Sequence, residues 1–200
     1  MGETKNSTDS KILNNMPDGA KFLNPEKIVE GMDIKPGMII ADFGCGTGYF
    51  SFPLAKKVAK GGMVYAIDIL TSKLETVASQ AKLNGLHNIT TRHANLEIAE
   101  GSKLQKESVD WVILVNMLFQ NNNEGKKKIM QEAKRVLKKG GNILLIEWDK
   151  NQLSIGPDDA LRVSKEEMTR MAREYGLGIA TEITVSDFHY GLILAKYKEN

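Results

Sequence analysis

Short apolar runs recur along the chain, separated by polar or glycine-containing turns. The run 109–115 is almost uninterrupted in apolar residues, as expected for a strand that is buried on both faces. The runs 179–185 and 190–197 are only a few residues apart, so they predict a hairpin. The other predicted strands are 39–42, 63–68, 89–93 (the weakest) and 142–148.

Apolar residues at helical spacing lie between these runs and predict helices. Asn24 before Pro25 has the form of an N-cap for a short helix that ends at Gly31. Capping boxes of the form Ser-x-x-Glu begin at Ser72 and Ser164. The predicted buried faces are Phe50, Leu54 and Val58; Leu74, Val77, Ala78 and Ala81; Ile129, Ala133, Val136 and Leu137, closed by Gly140 and Gly141; and Met168, Met171 and Tyr175.

Strand and helix alternate five times before the hairpin. This order predicts an α/β fold in which helices cover both faces of a doubly wound, mostly parallel sheet. In such a sheet the ligand lies beyond the carboxyl ends of the strands, where the strand order reverses. The residues that follow each predicted strand are therefore the candidates for function.

Three glycines alternate with other residues directly after the first predicted strand. They are Gly44, Gly46 and Gly48, and the strand before them ends in Asp42. Glycine leaves the backbone bare, so a ligand can approach the main chain closely. A dinucleotide-binding loop would need its third glycine at Tyr49, and a carboxylate at this strand end would repel a pyrophosphate. The pattern therefore favours a polar cofactor without a pyrophosphate.

The pattern from Asp42 to Gly48 resembles motif I of the class I methyltransferases that use S-adenosylmethionine. The resemblance covers about residues 22–197 and implies a Rossmann-like sheet of seven strands, in the order 3-2-1-4-5-7-6 with strand 7 antiparallel. It also implies S-adenosylmethionine as the cofactor, with Asp42 near its ammonium group. We expect residues 1–21 to be a tail or a flap over the site, and residues 22–200 to form the methyltransferase domain.

The ends of the next strands supply further candidates for cofactor contacts. Asp68 is expected to accept hydrogen bonds from both ribose hydroxyls, and Ile69 to line the adenine. Asn95 stands where the family usually has an acidic residue, and its amide oxygen can accept a hydrogen bond from the adenine amino group. Cys45 is expected to be a small packing residue. The predicted cofactor-binding residues are Asp42, Gly44, Cys45, Gly46, Gly48, Asp68, Ile69, Asn95, Leu96 and Asn116.

The segment 116–120, after the fourth strand, is the most informative about the methyl acceptor. Related enzymes that methylate exocyclic amines of nucleobases have a proline-containing turn at this place, and this segment has no proline. It looks more like the small-molecule branch of ubiquinone and menaquinone biosynthesis, although that branch commonly has a histidine where Gln120 stands. Phe119 is either a core aromatic residue or a wall of the substrate pocket.

Two other places are candidates for the substrate pocket. Trp148 follows Glu147 at the end of the fifth strand, and it either stacks on a substrate or packs beneath the following loop, which contains Gly156. In the final hairpin, His189 is a weak candidate for a proton acceptor, with Tyr190 beside it; the alternative is a histidine held by structural hydrogen bonds. Methyl transfer asks little acid–base chemistry of the protein, so no catalytic residue is assigned.

Composition narrows the class of protein. Hydrophobic residues make up 42% of the sequence and charged residues 26%, as in ordinary soluble proteins. The net charge of +2 gives no support to nucleic-acid binding, and the run 126–128 of lysines favours a solvated helix start. No apolar stretch is long enough to span a membrane. The single cysteine excludes an internal disulfide and a thiolate metal site, so we expect a cytoplasmic protein without a metal.

Three functions are compatible with these residues. The first is a methyltransferase that acts on a small-molecule acceptor by in-line displacement. The second is a catalytically silent subunit that binds S-adenosylmethionine and serves a partner, and the third is an RNA or protein methyltransferase. The acceptor and the oligomeric state are not specified by the sequence.

Overall fold

Seven strands form one sheet in the computed structural model, which describes residues 23–151 and 155–196. The tail or flap predicted for residues 1–21 lies outside the described residues, as does residue 197 of the predicted last strand. The strands are β1 Ile39–Phe43, β2 Met63–Asp68, β3 Ile89–His93, β4 Val109–Val115, β5 Leu137–Trp148, β6 Leu177–Ser186 and β7 His189–Lys196.

The strands are hydrogen-bonded in the order β3-β2-β1-β4-β5-β7-β6. β1 pairs in parallel with both β2 and β4, whereas β7 runs antiparallel to its two neighbours, β5 and β6. The predicted fold class is therefore confirmed, including the strand order and the antiparallel β7. The chain order reverses between β1 and β4, which is where a doubly wound sheet opens a crevice for a ligand.

The helices follow the strands as the sequence predicts. The predicted N-caps at Asn24 and Ser164 are confirmed, because each side chain accepts a hydrogen bond from the N–H three residues later. The helices are α1 Pro25–Gly31, α2 Ser51–Val58, α3 Thr71–Leu83, α4 Asn123–Val136 and α5 Lys165–Glu174, with short 3-10 helices at Leu118–Gln120 and Asp159–Leu161.

The capping box predicted at Ser72 is wrong. α3 begins one residue earlier, at Thr71, and its N-cap residue Leu70 makes no side-chain capping bond. The Leu70 N–H instead donates to Asp68 Oδ1 at 2.9 Å. The start of α3 is therefore fixed by a carboxylate from the end of β2.

The predicted boundary between α4 and β5 is also wrong. Leu137, predicted on the helix face, is the first residue of β5 and pairs with Val109. A Cβ on Gly141 would stand 2.8 Å from the carbonyl oxygen of Asp110. The glycine thus permits a close approach between neighbouring strands and does not end a helix.

The lysine run at the start of α4 is only partly solvated. Lys127 and Lys128 are exposed, but Lys126 is buried. Lys126 precedes Ile129 by three residues, so it lies on the buried stripe of the helix.

The core has two layers, one on each face of the sheet. α4 and α5 pack against one face, which includes Val112 and Leu114 of β4. α1 and α2 pack against the other, which includes Trp111 and Ile113. β4 is therefore buried on both faces, as its apolar run predicts. Among the residues that the structure describes, no helix combines the length and the apolar character needed to cross a membrane.

Candidate functional site

A cavity of about 410 Å³ opens at the carboxyl ends of β1, β2, β3 and β4. Six of the ten predicted cofactor-binding residues line it, and four (Asp42, Cys45, Gly48 and Asn116) do not. Met117, Gln120 and Asn121 contribute the side that follows β4. The predicted residues in the lining are Gly44, Gly46, Asp68, Ile69, Asn95 and Leu96.

The glycine loop forms the floor of the cavity. Gly46 has φ +52°, in the left-handed region, and a Cβ built there would meet no atom within 4 Å. A side chain at Gly46 would therefore stand in open space. Gly48 has a different role, because a Cβ there would come within 2.8 Å of the Phe52 ring and 3.1 Å of Val77. Because Gly48 has no Cβ, α2 and α3 can pack against the loop.

Asp68 fixes the shape of this loop. Its Oδ2 accepts the Gly46 N–H at 2.9 Å, and its Oδ1 accepts the Leu70 N–H at 2.9 Å. The sequence does not predict this clamp. Each carboxylate oxygen has two lone pairs, so both can accept a further hydrogen bond. Asp68 is half-buried and lines the cavity, as its predicted role toward ribose requires.

Asp42 lies beneath the glycine loop and is only 3% exposed. The Ser51 hydroxyl donates to its Oδ2 at 2.5 Å. Burial raises the pKa of Asp42 to about 7; the Ser51 hydrogen bond acts against this shift, and the nearby Asp68 charge adds to it. No basic residue within the described ranges forms a salt bridge with Asp42.

The adenine side predicted from the sequence has an apolar wall. Ile69 and Leu70 are each more than half exposed, and both line the cavity. Leu96 is buried beneath the opposite side. Asn95 Oδ1 accepts the Glu97 N–H at 2.8 Å, so the amide oxygen has one lone pair left for a ligand.

Asn116 directly follows β4 and has a left-handed conformation, with φ +50°. Its Nδ2 lies 3.0 Å from His189 Nε2, and its Oδ1 is buried with no hydrogen-bond partner among the residues that the structure describes. His189 Nδ1 lies 2.8 Å from Ser186 Oγ. Burial, together with the charge of Arg162, lowers the pKa of His189 to about 4. His189 is thus a neutral, buried imidazole with both nitrogens engaged, which matches the structural alternative and leaves no nitrogen free as a proton acceptor.

Trp148 lies behind the cavity. It is buried, with His189 packed against its ring at a centroid distance of 4.2 Å. A Cβ on Gly156 would stand 2.6 Å from the indole, so the loop passes directly over the ring. The Arg162 guanidinium lies 5.6 Å from the ring centroid and donates to the Asp149 carbonyl at 2.7 Å, which holds the loop in place. The structure shows the packing arrangement for Trp148.

The other three predicted substrate residues differ in how far they are buried. Tyr190 is buried, and its hydroxyl donates to the Val163 carbonyl at 3.0 Å. Phe119 is half-buried. Gln120 is exposed, lines the cavity and donates from Nε2 to the Asn116 carbonyl at 3.0 Å. Of the five substrate-pocket candidates, the structure brings only Gln120 to the cavity.

Glu147 is a residue whose part in the site the sequence does not predict. Its side chain is 1% exposed, and Oε1 accepts the N–H groups of Met117 at 3.1 Å and Leu118 at 2.6 Å. Its Oε2 has no hydrogen-bond partner within residues 23–151 and 155–196. Burial raises the pKa of Glu147 to about 7, although the backbone hydrogen bonds act against the shift. The available signal is a carboxylate in one of the last two positions of a strand, as in β1 and β2.

The charge at this edge of the sheet suits a cationic ligand. Asp68 and Glu97 line the cavity, Asp42 is buried next to it, and Lys73 is the basic residue in the lining. An ammonium or a sulfonium group would be attracted by these carboxylates, whereas a phosphate would be repelled. The bare loop at Gly46 and the apolar wall at Ile69 also fit a nucleoside that carries a charged amino-acid part. The described residues thus fit S-adenosylmethionine.

Sequence comparison relates the chain to methyltransferases. A family model described as a methyltransferase domain matches residues 34–193. Nocamycin O-methyltransferase of Saccharothrix syringae is 34% identical over 76 residues, which are 37% of this chain and 27% of that protein. The chain covers about a quarter of the length of the curated relatives it matches.

Two solved structures share the fold over nearly the whole chain. A methyltransferase from Aquifex aeolicus, described as dependent on S-adenosylmethionine, has a TM-score of 0.81 and 22% identity, covering 96% of this chain and 100% of that chain. A proposed type 11 methyltransferase from Sulfolobus solfataricus has a TM-score of 0.71 and 22% identity, covering 90% of this chain and 95% of that chain. At this level of identity the likeness concerns the fold.

Proposed function

Because this chain belongs to the methyltransferase domain family, we propose that it transfers the methyl group of S-adenosylmethionine to a small-molecule acceptor. The family match confirms the resemblance found in the glycine motif, and with it S-adenosylmethionine as the cofactor. The acceptor and the roles of individual residues are our proposal.

The observation that carries the proposal is the acidic cavity at the carboxyl ends of the strands. We expect Asp68 to hold the ribose, since its oxygens line the cavity and keep free lone pairs. Ile69 and Asn95 are placed to contact the adenine, and the bare backbone at Gly46 leaves room for the methionine part. Asp42 is buried below this loop, so it acts on an ammonium group through its charge or through a water molecule.

The protein contributes binding and orientation to the reaction. When bound, S-adenosylmethionine supplies a methyl group already activated by its sulfonium. The chain then has to hold the acceptor in line and keep water away, and such positioning can supply roughly 7–11 kcal/mol of the barrier reduction. This chemistry needs no histidine base, so it is compatible with a His189 whose two ring nitrogens are both engaged.

Two observations support a small-molecule acceptor. The segment after β4 contains no proline and forms a short 3-10 helix at Leu118–Gln120, so it lacks the turn that related enzymes use to hold a flipped base. The relative from Saccharothrix syringae is named for O-methylation of nocamycin. A small acceptor with a nucleophilic oxygen is therefore the first class to test.

A silent partner subunit is the second candidate function. It is favoured by the engagement of both His189 nitrogens, because His189 then has no free nitrogen to take a proton from an acceptor. An RNA or protein methyltransferase is the third possibility raised by the sequence.

Transfer of a labelled methyl group separates these functions. The purified chain is incubated with methyl-labelled S-adenosylmethionine and a cell extract divided into small molecules, RNA and protein. We expect label in the small-molecule fraction and none with the Asp68→Ala variant. Label confined to RNA or protein would overturn the acceptor class, and cofactor binding with no label in any fraction would identify the silent subunit.

A further inference from the structure

The turn that follows β4 forms one wall of the cofactor cavity. Met117 and Gln120 line the cavity, and Met117 also lies against the glycine loop: its Cβ and Sδ are each 3.2 Å from the place where a Cβ would stand on Gly44. A shift of this turn would therefore change the cavity and press on the loop at the same time. The position of the turn is a condition for binding.

We propose that Glu147 is the positioning residue that holds this turn against the cofactor cavity. The proposal rests on the proposed function. Glu147 does not line the cavity and is almost fully buried, so it acts through the backbone of Met117 and Leu118. It follows Ile146, whose carbonyl oxygen accepts the Asn116 N–H at 2.9 Å. Strand pairing thus ends where the carboxylate contact begins.

The carboxylate accepts the N–H groups of the first residues of the turn. The turn's own backbone bonds use the carbonyl groups of the same residues and not their N–H groups: Gln120 N donates to the Met117 carbonyl at 3.3 Å, and Asn121 N donates to the Leu118 carbonyl at 3.0 Å. Leu118 is fully buried, so without Glu147 its N–H would have no water to bond to. One buried donor, the partly buried N–H of Met117 and one buried carboxylate therefore depend on each other.

The surroundings of Glu147 contain few charges. Lys126 of α4 acts on it electrostatically, and Tyr190 of β7 stands opposite it in the strand pairing. The Tyr190 hydroxyl donates a hydrogen bond to the Val163 carbonyl, and Oε2 of Glu147 has no hydrogen-bond partner among the described residues. Burial raises the pKa of Glu147 to about 7, which agrees with a carboxyl whose hold on the turn strengthens as it ionises near neutral pH.

Three variants of the full chain test the proposal. Glu147→Gln keeps an oxygen that accepts the two N–H groups but has no charge, and Glu147→Leu removes both. Leu144→Ala is the matched control, since Leu144 is as deeply buried on β5 but faces the other core layer. Calorimetric binding of S-adenosylmethionine at about pH 8 and thermal unfolding are measured for each.

We expect Glu147→Leu to weaken cofactor binding at least roughly tenfold, with Glu147→Gln between it and the wild type. Leu144→Ala should lower the unfolding temperature and bind the cofactor within about twofold of the wild type. Wild-type affinity in Glu147→Leu, or an equal loss of affinity in Leu144→Ala, would overturn the positioning role. If either result is found while the wild type binds S-adenosylmethionine and transfers its methyl group, the proposed function stands without the positioning role. If the wild type binds no cofactor, the proposed function and the positioning role both fail.

A second measurement uses the wild-type chain and does not depend on the folding of a variant. The amide NMR signals of Met117 and Leu118 should shift together as pH rises, with a midpoint near the pKa of Glu147 at about 7. Asp42 also has a pKa raised to about 7 by burial, so the same titration is repeated in Glu147→Gln, where these two signals should no longer move. Signals that stay fixed in the wild type would overturn the proposal.

Discussion

On helix α4, Glu132 accepts hydrogen bonds at 2.7 Å from Nε and Nη2 of Arg135. At the carboxyl ends of the strands, Asp42 and Glu147 are buried as deeply, and neither forms a salt bridge with a basic residue that the structure describes. Glu132 also accepts the Ser102 N–H at 3.0 Å. At the amino end of β4, Asp110 pairs with Lys138 and Glu107 with Lys196. The ion-paired carboxylates thus lie on α4 and at the amino end of β4, away from the carboxyl ends where Asp42 and Glu147 lie.

The buried carboxyl groups of these two regions differ in their pKa. Burial alone would raise the pKa of Glu132, but the hydrogen bonds from Arg135 and Ser102 hold it below its usual range. Burial raises the pKa of Asp42 and of Glu147 to about 7. A buried carboxylate without a counter-ion costs stability. We infer that the carboxyl edge carries this cost because its missing cation is supplied by the ligand.

The largest expected effect comes from removing the carboxylate of the Glu132–Arg135 ion pair. Glu132→Ala leaves the Arg135 guanidinium and the buried Ser102 N–H without their partner. We expect a loss of roughly 3–5 kcal/mol in the free energy of unfolding, because removing one member of a buried pair strands the other. Urea unfolding measures the loss. Cofactor affinity below the transition should stay near the wild-type value, and a large loss of affinity would contradict the division between the two regions.

The effect of Asp42 on stability should depend on pH in the opposite sense from that of an ion-paired carboxylate. The pKa of Asp42 is raised from 3.8 to about 7, so between these two pH values the carboxyl is protonated in the folded chain and ionised in the unfolded chain. Its contribution to the free energy of unfolding is fully present below the unfolded pKa and is lost as pH rises toward 7. Asp42→Asn removes that loss. The variant should therefore gain up to roughly 3–4 kcal/mol over the wild type between about pH 4 and pH 7.

Unfolding curves of the two proteins across this pH range provide the measurement. Glu132→Gln is the control, because the pKa of Glu132 is lowered and no such gain in stability is expected. A stability difference between Asp42→Asn and the wild type that does not change with pH would show that Asp42 is ionised normally in the fold.

The smallest of the three effects tests the role of Asp68, at the carboxyl end of β2, in cofactor binding. Asp68→Ala removes two predicted hydrogen bonds to ribose as well as the clamp on the Gly46 N–H. We expect S-adenosylmethionine to bind roughly 100-fold more weakly, or roughly 2–3 kcal/mol, measured by calorimetry. Asp149→Ala is the matched control, because Asp149 is also an acidic residue at a strand end but does not line the cavity. Equal affinity in Asp68→Ala and the wild type would remove the ribose assignment.

The sequence predicts the sheet well, for physical reasons. Strand periodicity and the motif from Asp42 to Gly48 are local signals, and the family resemblance supplies the strand order that they cannot. Position at a strand end was enough to select Asp68, which lines the cavity, and its contact with ribose stays a prediction. The capping box at Ser72 was wrong because Asp68, from another element, already fixes the start of the helix.

The residues that the sequence could not place depend on contacts between distant segments. His189 has an ordinary exposed-hairpin pattern, yet Asn116, from a segment far away in sequence, occupies one ring nitrogen. Glu147 looks like any acidic residue after a strand, and its two N–H partners come from residues about thirty positions earlier. Nothing local in the sequence records whether a carboxylate will be buried or which backbone will meet it.

The place of β7 in the sheet has a consequence for how the chain reaches this structure. β7 follows β6 in sequence but lies between β5 and β6, so β6 cannot join the sheet until β7 has arrived. During synthesis, β6 leaves the ribosome before β7, and until β7 follows it the backbone of β6 has no neighbouring strand to pair with. Completion of the sheet therefore waits for the last strand, and the nascent chain presents an open edge on β5 until then.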